Sequence, residues 1–60
     1  MTDADRIAKL RHDLANPLAA LLAETQLLLM EPGELGPEVR HALKEIEALA
    51  IRMRTLLREA

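Results

Sequence analysis

Apolar residues recur at helical spacing along almost the whole chain, with one interruption. Ile7, Leu10, Leu14, Leu18, Leu21, Thr25 and Leu28 step by 3, 4, 4, 3, 4 and 3, the rhythm of one helix face. Ala42, Ile46, Leu49, Met53 and Leu56 step by 4, 3, 4 and 3, and Val39, Leu43, Ala50 and Leu57 widen that stripe. Between the two runs lies Glu31-Pro32-Gly33-Glu34-Leu35-Gly36-Pro37, the one Pro/Gly-rich stretch. A residue that precedes proline is pushed out of the helical region, so the first helix is expected to stop near Met30 or Glu31. Pro37 suits the first turn of a second helix, and Glu38 complements the dipole there. Thr2 or Asp3 can cap the first helix, with Asp3 and Asp5 near its positive end. The pattern predicts one domain over 1–60: helix 1 at about 3–30, a loop at 31–36 and helix 2 at about 37–58. Helices of roughly 28 and 22 residues would be ~42 Å and ~33 Å long.

The double stripe bears on assembly. One hairpin can bury one seam, so with the first row facing the core, Leu22, Leu29, Leu43 and Leu57 would be left exposed in a monomer. Two hairpins packed as a four-helix bundle bury both rows. The expected fold is therefore all-α, an antiparallel helical hairpin forming a homodimer.

Composition supports this reading. The 60 residues include 13 Leu and 10 Ala, one Val, three Ile and no aromatic residue, a helix-forming rather than strand-forming mixture. A chain this short buries only about 60% of its unfolded surface, and small scaffolds need disulfides, a metal or a partner. There is no Cys. Two His without further ligands nearby make a structural zinc a poor expectation. A second copy of the chain is what remains. Eight basic and ten acidic residues leave a net charge of −2, without the basic footprint of a nucleic-acid reader. No apolar run approaches the ~20 residues that span a bilayer. The acidic start, Met1-Thr2-Asp3-Ala4-Asp5, is unlike a signal peptide. A cytoplasmic location is expected.

Helix 1 holds two irregularities side by side. Leu10, Leu14 and Leu18 are separated by two consecutive fours, and Pro17 falls in mid-helix. Pro17 has no N–H to give the Asp13 carbonyl, at about 3 kcal/mol or more. Its neighbours carry chemistry. Asp5, Lys9, His12 and Asn16 step by 4, 3 and 4 along the outer face, and Asn16 lies one turn beyond His12, ~40° around the axis. Imidazole is a nucleophile at neutral pH. A carboxylate beside it, Asp13, can accept the Nδ1 proton and leave Nε2 to attack. The Asn16 amide can hold a water or a phosphoryl oxygen. Beyond it Ala19, Ala20 and Ala23 would let another protein approach closely. His41, among Glu38, Arg40, Lys44 and Glu45 with no Asn-Pro after it, reads as a solvated helix residue, and Asp5–Lys9 as a modest i,i+4 pair.

The segment His12-Asp13-Leu14-Ala15-Asn16-Pro17-Leu18 resembles the phosphoacceptor box of two-component sensor histidine kinases. Their dimerisation and histidine-phosphotransfer domain is a helical hairpin that dimerises into a four-helix bundle, and the resemblance extends over essentially the whole chain. It implies that His12 is phosphorylated and that Asp13 is the acid/base of phosphoryl transfer. It further implies that Asn16 orients water in a phosphatase reaction and that Pro17 kinks the helix. Two positions depart from the family: Arg11 stands where a small Ser is frequent, and Arg6 where a large apolar residue is frequent.

The same resemblance implies partners. His12 would take phosphoryl from ATP bound with Mg²⁺ on a separate catalytic domain, in cis or in trans, and pass it to an Asp of a response-regulator receiver domain. No cofactor is expected on these 60 residues, because the only glycines, Gly33 and Gly36, lie in the turn and no phosphate-cradling loop exists. The chain alone is thus an incomplete kinase. A free-standing histidine phosphotransfer relay, or a purely structural dimerisation bundle, are the alternatives that the sequence leaves open.

Overall fold

The computed structural model describes residues 1–31 and 33–59. It consists of two helices, α1 (Asp3–Met30) and α2 (Pro37–Glu59), packed as an all-α hairpin. The molecule is a rod of 50 × 14 × 11 Å.

Local chemistry explains each helix end. Thr2 is the N-cap of α1, and its hydroxyl accepts from the Asp5 N–H at 3.1 Å. The Asp5 carboxylate in return accepts from the Thr2 N–H at 3.1 Å. This reciprocal box satisfies two helix-end donors at once. At the other end Glu31 leaves the helix with extended angles, φ −65° and ψ 119°, as a residue before proline does; Pro32 itself lies outside the described residues. Gly33 turns the chain at φ +76°, a region that costs a side-chain-bearing residue about 1–2 kcal/mol.

The last turn of α1 has no basic residue of its own to meet its terminal carbonyls. Arg40, on α2, supplies the cation. Its guanidinium donates to the Leu29 carbonyl at 3.0 Å and to the Glu31 carbonyl at 3.3 Å. One side chain therefore caps α1 and ties the start of α2 to it.

The core is small, and it draws on both rows: Leu18 and Thr25 of the expected row are joined by residues expected to lie outside it. Leu18, Leu22 and Ala50 are buried, with Leu57 packed against them, and Thr25 is buried with its hydroxyl donating to the Leu21 carbonyl at 2.7 Å. Leu29 and Leu43 are half-buried. The seam within the hairpin thus includes Leu22, Leu29, Leu43 and Leu57, which the sequence reading left outside. Leu10, Leu14, Leu21 and Leu28, assigned to the core, are exposed, as are Ile46, Leu49, Met53 and Leu56. The reason is steric. Thr25 and Ala50, 4% and 2% exposed, are small enough to let the two backbones approach, so the seam centres on them and draws in the neighbouring leucines from either side.

Candidate functional site

The capping box starts α1 only two turns before His12, so the helix is already regular where the polar residues begin. His12, Asp13 and Asn16 all lie on α1 and are all exposed. At 100° per residue, Lys9, His12, Asp13 and Asn16 fall within a sector of about 100° over two turns. α1 continues unbroken through Pro17, which has no N–H for the Asp13 carbonyl. The backbone oxygen one turn before the proline is therefore left without its helical donor at the site itself.

Within this sector Asp13 does not turn to His12. Its Oδ2 accepts from the Lys9 ammonium at 2.7 Å. The hydrogen bond from Lys9, with its charge, holds the Asp13 carboxyl below the usual carboxylate range, and His12 contributes weakly in the same direction. Asp13 in return raises the Lys9 ammonium above its ordinary value, through the same bond. The expected Asp5–Lys9 pair is replaced by Lys9–Asp13. The cause lies in the N-cap: Asp5 is held by the Thr2 N–H and hydroxyl, which lower its carboxyl, so Lys9 pairs one turn further on. His41 is exposed, with its Nε2 2.9 Å from Glu45 Oε1.

Two grooves share Leu18 and Leu57 in their linings. The first, about 530 Å³, is bordered by Arg11, Ala15, Asn16, Ala19 and Ala23 of α1 and by Arg54 and Arg58 of α2. It brings Asn16 and the small-residue face together with guanidinium groups from the far end of the chain. Nothing in the sequence spacing fixes which part of α1 those arginines meet. The second groove, about 450 Å³, is apolar and is lined by Leu14, Pro17, Leu21, Met53 and Leu56. Lys9 too was legible only as a helix-face charge; its i,i+4 spacing to Asp13 is the same as its spacing to Asp5.

Among the described residues no group of three or more His, Cys, Asp or Glu is placed to hold a metal ion, and no helix is long and apolar enough to cross a membrane. The arrangement offers an exposed imidazole, a carboxylate held as an anion and an amide, presented on one helix face.

Comparison with known proteins adds the family. Residues 4–60 match the His Kinase A (phospho-acceptor) domain. No curated protein and no solved structure gave a match. Domains of this family form dimeric four-helix bundles in two-component histidine kinases, and no catalytic domain lies within these 60 residues. The match spans nearly the whole hairpin, including the stripe that carries His12, and the chain belongs to the His Kinase A phosphoacceptor family.

Proposed function

We propose that His12 is the phosphoacceptor, assisted by Asp13 and Asn16. The observation that carries this reading is the exposure of all three side chains on one stretch of α1, immediately before Pro17. In the forward reaction His12 Nε2 attacks the γ-phosphorus of ATP. The N–P bond forms as the bond to the bridging β,γ-oxygen breaks, and ADP leaves with that electron pair. The Nδ1 proton of the imidazolium so formed is shared with the Asp13 carboxylate as that carboxylate turns from Lys9. A Mg²⁺ bound with ATP on a separate catalytic domain would neutralise phosphate charge. In the onward step a receiver-domain Asp carboxylate attacks the same phosphorus, the N–P bond breaks and neutral imidazole is recovered. The Asn16 amide orients a water for hydrolysis when phosphatase chemistry runs. The groove bordered by Asn16, Ala19, Ala23, Arg54 and Arg58 is the seat for the receiver domain.

The hairpin works as a homodimer. Its accessible surface is 4910 Å², whereas a compact monomer of its mass would expose about 3,900 Å². The surplus, about 1,000 Å², leaves room for the ~800 Å² that each partner buries in a standard interface. The exposed row of Leu10, Leu14, Leu21, Ile46, Leu49, Met53 and Leu56 is the apolar face that a second copy covers. The reading places the domain in the cytoplasm, where ATP and receiver domains are found.

The test is direct. A competent histidine-kinase catalytic domain supplied in trans with labelled ATP should label this chain, and His12→Gln should abolish the label. Labelling that survives the substitution overturns the assignment.

A further inference from the structure

We propose that Lys9 is a positioning residue that holds Asp13 aside in the resting domain and releases it by moving to the phosphoryl group on His12. The inference rests on the reading of His12 as phosphoacceptor.

The argument starts from geometry. Lys9 Nζ lies 2.7 Å from Asp13 Oδ2, and both side chains are more than half exposed. On a regular helix Lys9 stands ~40° from Asp13 and ~60° from His12, so it lies between them in azimuth. Its ammonium carries three donors on a flexible four-carbon stem and can reach either neighbour without backbone movement. In the resting state the carboxylate is its partner. A phosphoryl group attached to His12 brings about two negative charges and strong acceptor oxygens to the same sector, against one charge on Asp13. The stronger field draws the ammonium across, and Asp13 is freed at the moment its carboxylate is needed beside the imidazole. No covalent bond changes at Lys9; its N–H donors pass from Asp13 Oδ2 to phosphoryl oxygens.

The charges that set the Asp13 environment are on α1, with Lys9 first and His12 last in effect. At this end α2 carries Arg52, Arg54, Arg58 and Glu59, of which Arg54 and Arg58 border the groove beside Asn16. Once Lys9 has moved, the cation left in the azimuth of Asp13 is Arg6, two turns earlier and ~20° around the axis.

The test follows the Asp13 carboxylate by ¹³C NMR titration in the intact chain carrying His41→Gln, which leaves His12 as the single imidazole. In the unphosphorylated chain Asp13 should titrate below the ordinary aspartate range. Lys9→Met should move it up into that range, and Lys9→Arg should bring it back down. Phosphoramidate, a small donor that needs no kinase domain, then phosphorylates His12. The Asp13 midpoint should rise on phosphorylation in the chain with Lys9, and the ³¹P resonance of phosphohistidine should shift when Lys9 is replaced by Met. An Asp13 midpoint indifferent to Lys9→Met, or one that stays low after phosphorylation, overturns the role of Lys9. Labelling by a catalytic domain with ATP separates the two claims. Label that persists in His12→Gln overturns the phosphoacceptor reading and the Lys9 exchange with it. Label confined to His12, with an unmoved Asp13, overturns Lys9 alone.

Discussion

Pro17 is the residue whose chemistry conflicts most openly with its place in a helix. A bundle with Ala at this position would regain the hydrogen bond to the Asp13 carbonyl, and Pro17→Ala should stabilise the domain by about 1–3 kcal/mol. The same change should slow phosphoryl transfer at His12, because a fully bonded helix yields less readily beside Asp13 and Asn16. Stability and activity would then move in opposite directions, as where local strain is kept for function. Thermal melts and transfer assays on one preparation decide it, and a variant more stable and equally active would reduce Pro17 to packing. Asp5 gives the pH prediction at this scale. Its carboxyl is lowered in the fold by bonds from Thr2, so its contribution is complete above the unfolded carboxylate value of about 3.9. The contribution is lost as pH falls through the lower folded value. Amide exchange at Asp5 and Arg6 should accelerate in that acid window, and Asp5→Asn should flatten the response.

At the scale of the element, the end of α1 depends on a residue that belongs to α2. Arg40 holds the Leu29 and Glu31 carbonyls, and a charged hydrogen bond contributes roughly 1.5–3 kcal/mol when its site excludes water. The site is half-buried, and Arg40→Met should cost about 1–2 kcal/mol, with faster amide exchange confined to Met30 and the loop. Gly33→Ala strains the turn at φ +76° although nothing lies within 4 Å to obstruct the added carbon. A loss near 1 kcal/mol with unchanged dimerisation is the expected result. Both substitutions probe the turn rather than the site.

For the whole molecule the two leucines at 21 and 22 separate intrachain from interchain packing. Leu22 is 6% exposed and Leu21 49% exposed in the single hairpin. Leu22→Ala should cost about 2–5 kcal/mol at any protein concentration. Leu21→Asp should dissociate the dimer, so that its melting temperature depends steeply on concentration. With three apolar residues in the core, the separated hairpin should unfold as it dissociates. A folded monomeric Leu21→Asp chain, seen by sedimentation near 6.7 kDa with full helical signal, would show that one seam suffices.

Sequence alone determined the all-α hairpin. Helix-forming residues at i, i+3/i+4 spacing and a single stretch rich in proline and glycine admit little else, since each of these signals acts within a turn or two of chain. The stripe of His12 and Asn16 was legible for the same reason, because a helix converts spacing directly into a shared face. Tertiary structure decided which apolar row closes the hairpin. Two rows roughly 100° apart read alike along the chain, and the hairpin buries Leu22 rather than Leu21, together with the small residues Thr25 and Ala50. It also brought Arg40 to the end of α1 and Arg54 and Arg58 to the groove beside Asn16, whereas the partner of Lys9 was settled locally, by the capping box that holds Asp5. The tertiary pairings join residues on different helices, and periodicity along one helix carries no information about them.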